Sequence, residues 1–302
     1  MSKHNKKSLV RQVQEALDAR LAIGESKHDA KKKSDDPMHL EGVYSWGTYK
    51  SYLKVGCSFV SYCKEKYGCK TLEACEAHAD EWLSSRSDAG LSAYTLTLDR
   101  CALGKIYGRS SDSFSAPIER RTYAAVTRSR GPAARDVHFS EAKNSDLLEF
   151  ARSTGLRRGE LQQLRGDALV QKRGQYYIRV TTNTKGGRNR LAPICGDTAL
   201  VVRLMTAAGE EKVFPHVHGA LDVHGCRRVY AQRLYDTVKR PLDVCEADKS
   251  FVQPKKIFPD RDAVYRRRGE LRGTWLDKRG MLIVSRALGH NRLSVVGEHY
   301  LK

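Results

Sequence analysis

From Tyr44 to Tyr107 the apolar residues fall into three successive runs at helical spacing. Tyr44, Tyr49, Tyr52, Leu53, Cys57, Phe59, Val60 and Cys63 share one broad face. Leu72, Cys75, His78, Ala79, Trp82 and Leu83 form a second, and Tyr94, Leu96, Leu98, Cys101, Leu103, Ile106 and Tyr107 a third. Gly68, Gly90 and the run Ser84 to Ser87 separate them. Such a pattern demands an all-α unit of three or four helices over residues 37–115. It ends in a stretch rich in Ser, Arg, Gly and Pro (Pro117, Pro132), which marks 116–135 as a linker and a boundary.

Beyond residue 136 the pattern changes. Helices are expected at Ser140 to Ser153 and from about Arg158. Strands follow at Ala168 to Val170, Tyr176 to Thr182 and Leu191 to Ile194, the last two joined by a glycine-containing hairpin turn at 183–188. Helices resume after Thr198 and are interrupted by a polar stretch from about Val238 to Asp262. Residues 136–302 therefore form an α+β unit, mainly helical with a small three-stranded antiparallel sheet. Residues 1–36 read as a basic N-terminal arm: a short amphipathic helix through Leu9, Val13, Leu17 and Leu21, then a polar stretch carrying Lys31, Lys32 and Lys33.

The charge narrows the function. Among 302 residues, 54 Lys and Arg face 35 Asp and Glu, a net +19. The excess is spread over both halves rather than gathered in a tail, as expected of a protein that grips a phosphate backbone along much of its length. With 40% hydrophobic and 29% charged residues, no segment has the apolar length of a membrane span, and the first ten residues lack a signal core. A cytoplasmic protein with no membrane partner is expected. The eight cysteines include no C-x-x-C pair, and the cluster His216, His218, His224 has no acidic or thiolate partner at ligand spacing. They read as small reduced residues, with no metal and no cofactor.

Four segments carry groups suited to phosphate chemistry. Thr154-Gly155-Leu156-Arg157-Arg158-Gly159-Glu160-Leu161 sets Arg157 at a helix edge, with Glu160 one turn on to brace it. Lys185 sits at the hairpin tip. His224-Gly225-Cys226-Arg227 is an H-x-x-R pair that shares one face if the segment is helical, and Leu288-Gly289-His290 precedes Tyr300. Cutting DNA through a covalent phosphodiester needs a nucleophile, cations for the charge that builds on the non-bridging oxygens, and a proton for the leaving oxygen. A phenol, with a pKa near ~10, attacks well only where cations lie close by, and arginine forks clamp a phosphate. Each segment alone is common; all of them in one chain are not.

Taken in order, these motifs resemble the tyrosine recombinase (phage integrase) family, in the style of mobile-element integrases. The T-G-L-R-x-x-E-L string, the hairpin lysine, the H-x-x-R box continuing Arg228-Val229-Tyr230-Ala231, the L-G-H box and the late tyrosine all stand as in that family. The helical segment 37–115 is similar to its core-binding domain, so the likeness runs over nearly the whole chain. The resemblance implies a site-specific recombinase that breaks and rejoins DNA without metal or ATP. Tyr300 would attack to form a 3′-phosphotyrosyl link, Arg157 and Arg227 would bind the non-bridging oxygens, and Lys185 would be the general acid. His224 would assist proton transfer, His290 would bond the phosphate, and Glu160 would support the arginines. DNA contacts are expected from Lys31, Lys32, Lys33, Arg188, Arg190 and the run Arg266, Arg267, Arg268. Double-stranded DNA at specific attachment sites, a homotetramer, accessory DNA-bending or directionality factors and a bacterial nucleoid setting complete the implied picture.

The chain departs from the family in two spacings. Arg227 and His290 are 63 residues apart, longer than usual, with the surplus in about Tyr235 to Tyr265. Tyr300 follows His290 by ten, one more than is common. Tyr265-Arg266-Arg267-Arg268 is a rival second box with Tyr in place of His; His224 and Arg227 are preferred because they keep the histidine and the continuation. A type IB topoisomerase-like enzyme and a non-catalytic DNA-binding regulator remain the alternative functions.

Overall fold

The computed structural model describes residues 7–36, 39–122, 139–182, 189–253, 260–290 and 292–301. The chain divides into two compact units, Met1–Ala125 and Val126–Lys302. Among the described residues no helix is long and apolar enough to cross a membrane.

The first unit is all-helical: α1 (Leu9–Asp18), α2 (Lys27–Lys33), α3 (Trp46–Tyr67), α4 (Leu72–Glu76), α5 (Ala79–Asp88) and α6 (Ala93–Tyr107). Side-chain oxygens of Ser8, Ser45, Thr71 and Ser92 accept from the first-turn amides of α1, α3, α4 and α6, satisfying donors that a helix start leaves open. Phe59, Trp82, Leu83, Leu103 and Ile106 build the core, with the Phe59 and Trp82 rings edge to face at 5.3 Å. Val13 and Leu17 of α1 are fully buried in the same core. The segment read as an arm is thus, through α1, an integral helix; its apolar face was legible, but a stripe alone does not say what covers it. Only α2, with no buried residue, keeps the character expected of an exposed basic segment. At the other end the chain stays packed as far as Ala116, whose amide donates to Asp80 at 2.8 Å.

The second unit begins with α7 (Ser145–Thr154) and α8 (Arg158–Gln163), followed by β1 (Leu169–Lys172), β2 (Gln175–Val180) and β3 (Arg190–Pro193). The three strands form an antiparallel sheet in the order β1-β2-β3, with Ile178 of β2 opposite Leu169 and Ala192. Ile178 and Val180 face the core while Arg179 faces outward, the alternation a half-buried strand requires. Then come α9 (Thr198–Ala208), α10 (Val223–Val238), α11 (Leu242–Ala247), β4 (Val264–Arg266), β5 (Trp275–Asp277), α12 (Lys278–Ala287) and α13 (Leu293–His299). The mainly helical α+β class with a small three-stranded antiparallel sheet is as expected. Sequence patterning missed α11, which lies in the stretch read as a polar interruption, and the antiparallel β4–β5 pair beyond it. Both are too short to carry a periodic signal.

Two apolar clusters fill this unit. One lies under the sheet and α7 to α9 and includes Phe150, Leu161, Ile178 and Met205; the other gathers Leu234, Phe251, Met281, Val284, Leu293 and Val296. Helix α10 belongs to both, giving Val223 and Cys226 to the first and Tyr230, Ala231 and Leu234 to the second. All eight cysteines are free thiols, and burial raises Cys63, Cys226 and Cys245 to about 11.

Leu17→Ala is expected to lower the unfolding free energy of the first unit by about 2–5 kcal/mol in urea titration, the cost of a cavity in a shared core. A change below ~0.5 kcal/mol would mean that α1 is the detachable arm after all.

Candidate active site

The Thr154-to-Leu161 string is a helix end, a turn and a helix start. Gly155 closes α7 with φ +61°, and a Cβ there would run into the Tyr230 ring, so only glycine fits. The turn sets Arg157 at the cap of α8, where its amide donates to Glu160 Oε2 at 2.7 Å and its Nη1 to Glu160 Oε1 at 2.9 Å. The same carboxylate receives Arg190 from β3 as a fork, at 2.8 and 2.7 Å. Glu160 is 2% exposed. Burial pushes its pKa up, but the hydrogen bonds and charges of Arg190 and Arg157 outweigh that and leave it below the ordinary 4.5.

The end of α12 completes the frame. Arg157 Nη2 donates to the carbonyls of Leu288 (2.9 Å) and Gly289 (3.2 Å), and Arg227 Nη2 donates to the same Leu288 carbonyl at 3.0 Å. Arg227 Nη1 donates to the Gly155 carbonyl. One carbonyl thus holds two guanidinium groups side by side. Gly289 takes φ +70°, and a Cβ there would approach Arg157 Nη1 at 3.1 Å and Arg190 Nη1 at 3.2 Å. The glycine of the L-G-H box is therefore needed both for the turn and for the arginines.

Arg227 is 1% exposed because α10 threads between the two apolar clusters at that point. Burial lowers its pKa from the usual 12.5, opposed by the Tyr300 phenol, and an arginine so placed keeps its charge at neutral pH. Its Nη2 lies 3.4 Å from His290 Nε2, which is 3.4 Å from the Tyr300 hydroxyl. The Tyr300 ring sits 5.7 Å from the Arg227 guanidinium carbon. His224, one turn before Arg227, stands exposed at the rim. Partial burial of its ring, with the Arg227 charge next in weight, holds its pKa below the ordinary 6.5 and keeps it neutral at pH 7. Among the described residues, Arg157 and Arg190 pair with the carboxylate of Glu160 while Arg227 stands near it, so the site carries an excess of fixed positive charge suited to a phosphate.

Arg157, Glu160, Arg227, His290 and Tyr300 therefore converge, with His224 at their edge. Lys185 and Arg188 lie outside the described residues. The basic residues expected on DNA separate into different roles. Lys31, Lys32 and Lys33 are exposed on α2. Arg190 does not face outward: its side chain is 7% exposed and its Nε donates to the Ala287 carbonyl at 2.8 Å, so its donors are committed within the fold. Arg267 is likewise buried, whereas Arg266 pairs with both oxygens of Asp262 at 2.9 Å and Arg268 is exposed. In the Arg266-to-Arg268 run the middle residue, just past the end of β4, turns inward to the Leu301 carbonyl, which a charge count cannot reveal. Sequence reasoning also missed Arg158, which donates to the carbonyls of His218 (2.8 Å), Gly219 (3.3 Å) and Leu221 (2.6 Å) and so pins the loop leading into α10.

No family profile and no curated protein matches the chain. Among solved structures it is similar to the Tn1549 transposon integrase in complex with circular intermediate DNA, at 12% identity and TM-score 0.44 over 97% of this chain and 95% of that one. It is also similar to the XerH site-specific recombinase bound to difH substrate, at 14% identity and TM-score 0.47 over 96% and 92%.

Glu160→Gln is expected to cost about 3–5 kcal/mol in urea titration, because the buried Arg190 and the half-buried Arg157 lose their counter-charge. The wild-type carboxylate contributes above the ordinary carboxyl range, and that contribution is lost as pH falls through its lowered folded pKa. The gap between wild type and variant should accordingly narrow on acidification; a gap constant from pH 7 to 3 would remove Glu160 from this role.

Proposed function

We propose that the chain cuts and rejoins duplex DNA as a tyrosine site-specific recombinase of the mobile-element integrase kind. The observation that carries this reading is the Tyr300 hydroxyl 3.4 Å from His290, with its ring beside the buried Arg227 whose guanidinium shares a carbonyl with Arg157. Tyr300 attacks the scissile phosphorus; the 5′ oxygen leaves, and a 3′-phosphotyrosyl ester remains. Arg157 and Arg227 balance the charge that grows on the non-bridging oxygens, and both are held in place beforehand, so little reorganisation accompanies the reaction. His290 donates to one of those oxygens. His224, neutral at pH 7, accepts the phenolic proton, and Lys185 protonates the leaving 5′ oxygen. The second strand's 5′ hydroxyl then reverses the attack, and the conserved phosphoester energy makes ATP unnecessary.

The +19 charge and the exposed lysines of α2 support duplex DNA as the partner, with the first unit contributing to the grip. Attachment-site specificity, a homotetramer on two sites, accessory bending factors and a cytoplasmic, nucleoid-associated setting belong to the same reading and draw their support from the motif resemblance.

A duplex nicked so that the cleaved end diffuses away tests the chemistry. The wild-type protein should form a denaturant-resistant DNA adduct, and Tyr300→Phe should bind the same duplex yet form none. An adduct formed equally by both would exclude Tyr300 as the nucleophile. The adduct rate should also rise with pH through a midpoint below 6.5, the lowered value of His224, and be flat by pH 7. A limb centred above pH 7 that survives in His224→Gln would take His224 out of proton transfer.

A further inference from the structure

We infer that the segment between α10 and α12 clamps the tyrosine helix of its own chain, with Arg267 as the positioning residue for Tyr300; this rests on the recombinase reading above. The base of the segment is pinned by charge. Arg240 donates to both oxygens of Asp277 (2.7 and 3.0 Å) and to Asp248 (2.9 Å), and Arg279 donates to Asp248 at 2.6 Å. Asp277 is 1% exposed and also caps α12, so the segment is anchored where it rejoins the fold. From that base, β4 pairs with β5 and extends toward α13.

Two side chains make the grip. A Cβ on Gly297 would come within 3.0 Å of the Tyr265 ring, so α13 lies flush against β4. Arg267, 6% exposed, donates from Nη2 to the Leu301 carbonyl at 2.8 Å, one residue beyond Tyr300. Its Nε finds no partner among the described residues. A buried guanidinium with an unmet donor is costly, and what it secures is the backbone that carries the phenol. Helix α13 has only seven residues, too few to hold its own geometry in water. A cation at its C-terminal end both satisfies a carbonyl and matches the helix polarity. The clamp thus holds Tyr300 over the Arg227 of the same chain, and the unusual spacing between the second and third boxes has a use.

The test compares Arg267→Met, which keeps an apolar stem but no donor, with Arg267→Lys. The first readout is single-turnover adduct formation at saturating nicked duplex. Arg267→Met should link about 10–100-fold more slowly than wild type with unchanged duplex affinity, and Arg267→Lys should recover most of the rate. A merely structural lesion would instead weaken affinity and rate together, with no recovery by lysine. The second readout is amide hydrogen exchange over 293–301, which should quicken in Arg267→Met whether or not DNA is cut. If wild type forms no adduct, the recombinase reading fails, and exchange alone judges the clamp. Wild-type linkage rate in Arg267→Met, or unchanged exchange, overturns it. Should Arg267→Met not fold, Gly297→Ala, whose added Cβ presses on Tyr265 and Met281 while Arg267 and Tyr300 stay unsubstituted, carries the same two readouts and the same expected losses.

Discussion

The Leu288 carbonyl oxygen is the point on which the second unit's candidate site depends. It accepts from Arg157 and from Arg227, residues that reach it from α8 and α10. A carbonyl has two lone pairs, and here each meets a cation. The spacing of the two guanidinium groups is thereby set by backbone, which moves less than a pair of free side chains. Glu160 supplies the counterweight: without it, Arg157, Arg190 and Arg227 would crowd together with no anion among them. The site is stable enough to fold and still short of negative charge, a condition that a phosphate relieves.

Position follows from packing. Because α10 passes from one apolar cluster to the other, its polar residue at the crossing has no solvent to face, and Arg227 is sealed against the helix end that carries Leu288. Tyr230, three residues on, reaches the Pro193 carbonyl at 2.8 Å and joins α10 to β3, the strand that also bears Arg190. The sheet, α10 and the end of α12 are thus connected through hydrogen bonds that run through the site itself. Loss of one arginine should disturb folding as well as chemistry, so an activity measurement on such a variant needs a measure of stability beside it.

Much of this was legible in the residue order. The T-G-L-R-x-x-E-L and L-G-H strings place glycines where the backbone must turn left-handed beside a bulky partner, and both glycines do so. Helical spacing located α3, α5 and α6, and the three strands fell within two residues of their expected bounds. What escaped detection depends on tertiary contact. Whether α1 was an arm or a core helix turned on the presence of Phe59 and its neighbours, not on the stripe Leu9, Val13, Leu17. Arg190 and Arg267 carry the same charge as residues that meet solvent, and only their partners in the fold, Glu160 and the Leu301 carbonyl, set them inward. Elements as short as α11, β4 and β5 leave no periodicity to read.

In the proposed chemistry, fixed cations and one phenol address a single phosphorus. The direct measurement is a crystal structure of the protein on a nicked duplex with orthovanadate bridging the nick, since vanadate adopts the five-coordinate geometry of in-line attack. Tyr300 Oη is expected at one apex, with Arg157, Arg227 and His290 each within hydrogen-bonding reach of the equatorial oxygens. A vanadate bound away from these residues, or one that only one of the two arginines can touch, would contradict it.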